Sequence, residues 1–182
     1  MNHAFPCGTL ALDFLGTLRA RRNAVPTEKL ATPKLLDSWF VESRMLDSEP
    51  GADASDLAAA LELRESIYAL VEARLDGAAL PAGAVAAVNR HAAQTPVVTQ
   101  LAPDGTSRSG SAAQGLAALA REAVEIIGGD EGTLLRECAR PECTQVYLDH
   151  SRGRRREWCA MRTCGNRVKA AAFRARHRTA AE

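Results

Sequence analysis

The chain has 182 residues, 46% hydrophobic and 25% charged, proportions ordinary for a globular protein of one or two domains. Only 4% is aromatic and alanine is abundant, so the core should be small-residue, helix-rich packing. The net charge of +1 conceals a division: residues 1–132 carry 11 Lys/Arg against 17 Asp/Glu, residues 133–182 carry 12 against 5. No apolar run approaches the ~18 residues of a membrane span, and MNHAFPCGTLALDFLGTL lacks the basic start and small-residue cleavage site of a secretory signal. A cytoplasmic protein with no membrane contact is the expectation.

In chain order, residues 7–22 place Leu10, Phe14 and Leu18 four apart, the stripe of an apolar helix, weakened by Gly8 and Gly16. Asp13 within that stripe reads as a capping or hydrogen-bonding carboxylate. Residues 33–48 predict a second helix opening at Pro33 with Leu36, Phe40 and Leu46 on related faces. A loop at 49–55 leads to the clearest helix, 55–76, capped by Ser55 with Asp56 in its first turn. Its apolar face carries Leu57, Leu61, Ile67, Leu70, Val71 and Leu75, with Arg64 and Glu65 set within it. A helix over 81–94 follows. Residues 96–110 then read as a β-hairpin turning at Pro103-Asp104-Gly105. A last helix, 112–127, ends at Gly128-Gly129, the expected boundary between a domain at 1–130 and a second at 134–178.

Four of the five cysteines lie in that second segment, spaced C-x4-C-x15-C-x4-C: Cys138, Cys143, Cys159 and Cys164. Two pairs on short loops can converge on one tetrahedral ion, and in a reducing compartment such pairs favour metal over disulfide. Four thiolates suit zinc; an iron–sulfur cluster or two disulfides are the alternatives. Cys7 stands apart and reads as a small buried residue. Between the pairs, Val146–Leu148 predicts a strand, Ser151-Arg152-Gly153 a turn, and Arg154–Trp158 a returning strand. The alanine-rich run after Cys164 predicts a helix whose N-terminal dipole faces the thiolates. The whole is an α+β, mainly helical chain: a helical N-terminal domain with a β-hairpin, then a small treble-clef-like zinc finger.

Residues 134–178 resemble the CGNR zinc-finger family, whose motif stands here as Cys164-Gly165-Asn166-Arg167. LALDFLGTL at 10–18, LRESIY at 63–68 and the helix before Gly128 resemble the ABATE-type domain that accompanies this finger. The resemblance implies a stress-related transcription regulator. Two positions depart from the family pattern: Gly16 stands where asparagine is usual, and Glu157 sits between the arginines and Trp158.

The basic segment offers Arg152, Arg154, Arg155, Arg156, Arg162, Arg167, Lys169, Arg174, Arg176 and Arg178. Arginine forks suit phosphate and guanine, and clustered charge gives salt-dependent DNA affinity. Arg167, Arg174 and Arg178 fall on one helix side, with Val168, Ala172 and Phe173 available to pack back on the finger. Asn166 reads as a base contact or a local cap. His91, His150 and His177 read as surface histidines, the last two standing by as ligands only if a cysteine fails. The leading expectation is a DNA-binding regulator with structural zinc, whose helical domain forms a homodimer or senses a small-molecule effector in a pocket lined by Asp13, Arg64 or Tyr68. A protein-interaction module with an acidic partner is the alternative. No nucleophile–base constellation, HExxH, phosphate loop or paired-carboxylate motif appears in 1–132, so no enzyme is expected.

Overall fold

The computed structural model describes residues 3–179, except the side chains at 175 and 177–179. Helix α1 (Leu10–Leu15) starts where the Thr9 hydroxyl accepts the Leu12 N–H and stops at Gly16. It is far shorter than the helix expected over 7–22. Gly8 and Ala20 adopt φ of 87° and 53°, which no helix accommodates, and Leu18–Arg19 forms a strand, β1, paired antiparallel with β2 (Thr27–Glu28). Asp13 is buried and accepts the Cys7 N–H at 2.9 Å, the hydrogen-bonding role its position suggested.

Helix α2 (Pro33–Glu42) has Thr32 as its cap and Pro33 in its first turn. It ends before residue 48 because Arg44 takes φ 61° and the N–H groups of Met45 and Leu46 both return to the Phe40 carbonyl. That turn drops Met45 and Leu46 into the core. Helix α3 (Ala54–Leu75) is capped by Asp53, not Ser55, in a reciprocal box with Asp56. Helix α4 (Ala82–Ala92) and helix α5 (Ala112–Gly128), the latter capped by Ser111 and Gln114, pack on α3 and on each other; α1 lies against α3 and α5. Between α4 and α5, β3 (Val98–Ala102) and β4 (Gly105–Ser109) form the expected hairpin, with Ala102 opposite Gly105.

After a 3-10 turn (Asp130–Leu134), β5 (Leu135–Glu137) pairs antiparallel with β6 (Val146–Leu148), Leu135 opposite Leu148. The strand at 146–148 is therefore correct and its expected partner is not: 154–158 forms no strand. Gly153 and Arg154 turn at φ 81° and 51°, and the Ser151 and Arg156 N–H groups bond the Asp149 carboxylate instead of a neighbouring strand. Helix α6 (Asn166–Thr179) closes the chain. The apolar core runs without interruption from Leu12, Phe14 and Trp39 through Ile67 and Leu119 to Val146, Tyr147 and Leu148. No helix of the described residues is long and apolar enough to cross a membrane.

Candidate metal centre

The β5–β6 hairpin forms the first half of the site. Its connection begins at Cys138, whose N–H bonds the Gln145 carbonyl at 3.0 Å, and tightens where the Cys143 N–H bonds the Arg140 carbonyl at 2.8 Å. This knuckle carries both first-pair sulfurs. The second pair arrives on the loop after β6. The Ala139 N–H bonds the Glu157 carbonyl at 2.8 Å, which brings Cys159 alongside the knuckle. One wide helical turn (Met161–Gly165) then presents Cys164 immediately before α6. A Cβ at Gly165 would lie 2.6 Å from Met161 Sδ and 3.2 Å from Trp158 Cδ1, so a larger residue there displaces the exposed Met161 side chain. The knuckle and the ligand-bearing helix start are as expected from sequence, while a loop stands where the second hairpin was expected.

The four sulfurs lie within 4.8 Å of one another. Cys143 and Cys159 are 3.9 Å apart, Cys159 and Cys164 3.7 Å. A regular tetrahedron of Zn–S bonds of about 2.3 Å has edges of about 3.8 Å, whereas a disulfide needs about 2.05 Å. None of the five cysteines is in a disulfide, and the spacing fits a shared ion. Thiol chemistry agrees. Hydrogen bonding from Cys159 holds Cys143 down at about 5, and the same contact pushes Cys159 far above the thiol range. Burial raises Cys138. Four thiolates this close require a metal to offset their charge. The start of α6 adds a favourable dipole. The Arg140 guanidinium, paired with Glu142 at 2.9 Å, reaches the Cys164 sulfur at 3.8 Å. His150 is exposed and lies 3.5 Å from Glu131, away from the sulfurs. His177 and Arg178 lie outside the residues with described side chains.

Behind the sulfurs the finger is locked to the helical part. Gln145 Nε2 lies 2.9 Å from the Cys7 sulfur and 3.3 Å from the Leu12 carbonyl. Cys7 is buried as expected, but it is also a hydrogen-bond relay between Gln145 and Asp13. Burial, then the Asp13 charge, pushes its thiol well above the usual range. Burial likewise raises the Asp13 carboxyl to about 6. The Gln145 carboxamide occupies the space beside Gly16, where a Cβ would meet it at 2.3 Å. The glycine that departs from the family pattern is thus the one this glutamine requires. Arg22 pairs with Glu137, and the Arg21 N–H reaches Thr144 Oγ1 at 3.3 Å.

The arginines divide. Arg156 stacks over Tyr147 at 4.3 Å and donates to the carbonyls of Trp158 and Cys159. It also reaches the Pro6 carbonyl at 3.5 Å and, half-buried, lines the same groove as Arg152 and Arg155. Arg152, Arg155 and Lys169 line one shallow groove with Trp158 and Met161; Arg167 and Arg174 line another, with Arg140, on the far side of α6. Arg152, Arg154, Arg155, Arg162, Arg167, Lys169, Arg174 and Arg176 are all exposed. Asn166 is exposed and caps nothing with its side chain. Phe173 is 56% exposed.

The expected pocket around Asp13, Arg64 and Tyr68 is filled. Arg64, 3% exposed, grips Glu28 through both terminal nitrogens at 2.7 and 2.6 Å and also reaches Thr17 and Glu65. Arg21 covers the Tyr68 ring at 3.9 Å. A cavity of about 250 Å3 lies elsewhere, between β1 and the finger, floored by three of the four cysteines. Sequence reasoning missed Arg140, Gln145 and Arg19, which line it. Only Arg140, inside the knuckle, carried a local signal.

Residues 8–130 match the family model ABATE, described as "putative stress-induced transcription regulator", and residues 135–177 match the CGNR zinc finger. No curated protein matches the chain.

Proposed function

The chain belongs to the ABATE family and carries a CGNR zinc finger, and from that premise we propose that it is a transcription regulator holding duplex DNA through its finger. The observation that carries the DNA reading is α6. Every described side chain on it is exposed except the half-buried Val168, and Arg167, Lys169, Arg174 and Arg176 ring it. A 14-residue helix that buries so little is marginal by itself and gains from a polyanionic partner. The ion is zinc, and its role is structural, because four thiolates leave no position for a water. A reducing cytoplasm suits four free thiols. No reaction is assigned to the chain.

Metal content followed by a salt series on the same preparation tests this. We expect one zinc per chain and random-duplex affinity that falls steeply with salt. Lys169→Gln with Arg174→Gln should reduce the log–log slope by about 2 and leave the zinc in place. Absence of binding at low salt refutes the reading.

An acidic protein partner is the second reading, favoured by Phe173 and Met161, 56% and 48% exposed beside the basic residues. Duplex DNA backbone makes no use of such side chains. With Asp13, Arg64 and Tyr68 packed, the helical part serves dimerisation, which sedimentation would show.

A further inference from the structure

The cavity between β1 and the finger is a different kind of surface from α6. It is concave, about 250 Å3, and both parts of the chain build it. Ala4, Pro6 and Leu18 give it an apolar lining; Arg19, from the helical part, and Arg167, from the CGNR motif, both line it. Arg140 is already occupied by Glu142 and the Cys164 sulfur. Arg19 uses only its Nε, on the Gly16 carbonyl at 3.4 Å, and Arg167 bonds to no described residue. Two guanidinium forks are thus left over for a ligand.

We infer that this cavity binds a small organic anion, a carboxylate with a short apolar body, gripped by Arg19 and Arg167. The fork geometry of arginine matches a carboxylate, and the apolar wall has no use in gripping a phosphodiester backbone. The volume is just below the usual range of small-molecule sites, and the ion held by Cys143, Cys159 and Cys164 takes part of it, which restricts the ligand to a few heavy atoms. Because the walls come from both parts, an occupant would bind them together and set how Arg167 is presented on α6. Binding here does not depend on DNA binding, so either can fail alone.

The probe is butyrate, with butyramide as its uncharged control, titrated into the zinc-loaded full chain and followed by amide NMR shifts. Saturable shifts at Thr144, Gln145 and Thr163 are expected, with a dissociation constant on the order of 1 mM. Butyramide should leave them unmoved. Arg19→Gln and Arg167→Gln, both changes at exposed side chains, should each weaken butyrate about tenfold while the zinc content stays at one. Arg167→Lys, which keeps charge but loses the fork, should also weaken it. Four results overturn the inference. The first is butyrate binding that does not saturate, and the second is butyramide matching it. The third is a short duplex that shifts the same amides where butyrate does not, which makes the cavity a nucleic-acid contact. The fourth is arginine variants that loosen zinc in a chelator competition without changing butyrate binding, which makes them partners of the thiolates alone.

Discussion

Gly16→Ala tests how the finger is seated. Gly16 has φ −69°, which alanine accepts, so the backbone gives no reason for glycine. Relieving the unfolded chain of glycine's freedom should even stabilise by about 0.4–1 kcal/mol. Against this, the new Cβ would stand 2.3 Å from both polar atoms of the Gln145 carboxamide and 2.7 Å from its Cδ. The side chain must leave, and with it go the contacts to Cys7 and Leu12. Two buried hydrogen bonds at about 1 kcal/mol each, with the strain of an overfilled site, cost roughly 2–4 kcal/mol. The net expectation is a loss of about 1–3 kcal/mol, read as a lower urea midpoint of the zinc-loaded protein. The double variant Gly16→Ala, Gln145→Ala should recover part of it, because nothing is then left to clash. A Gly16→Ala protein at least as stable as the parent, or strictly additive single and double losses, refutes the packing argument.

Asp13→Asn should show a pH signature. The folded carboxyl sits at about 6, above the roughly 3.9 of an unfolded chain, so ionising it in place costs stability as pH rises through that window. The variant should gain about 2–3 kcal/mol over the parent at pH 8 and almost nothing below about pH 3; an equal difference at both rejects the buried charge. Arg64→Met leaves Glu28 without its bidentate partner and should cost about 2–4 kcal/mol in urea unfolding, partly regained with Glu28→Leu. A neutral Arg64→Met would mean the pair is idle. Stripping the metal with a chelator should lower the melting temperature of the entire chain in one transition, because Val146, Tyr147 and Leu148 share a core with α1 and α3. A helical part that melts unchanged after chelation contradicts that shared core. Cys143→Ala should abolish stoichiometric zinc, measured by metal analysis.

Helices α3 to α5, the β3–β4 hairpin and the cysteine knuckle were readable because each is specified locally. Alternating or 3.6-periodic apolar residues, a proline, a capping side chain or a fixed cysteine interval lies within a few positions of what it determines. The errors fall where local signals compete. The α1 stripe matched a helix as far as Leu18, yet positive φ at Gly8 and Ala20 broke it on both sides. Ser55 and Asp53 are both good caps, and the reciprocal partner at Asp56 decided for Asp53. Arg154–Trp158 reads as a strand only as the return of a hairpin after the 151–153 turn, but the Asp149 carboxylate took the Arg156 N–H.

The primary structure therefore determined helices α3 to α5, the β3–β4 hairpin, the four-sulfur ligand set and the uneven charge, since these depend on near neighbours or on composition alone. Which strand paired with β6, which arginines were consumed internally, why residue 16 must be glycine, and where a cavity opened were decided by contacts between residues up to 150 positions apart, as Pro6 and Arg156 are. Long-range packing chooses among locally equivalent options by filling space and satisfying buried polar atoms, and no short window of sequence contains that information.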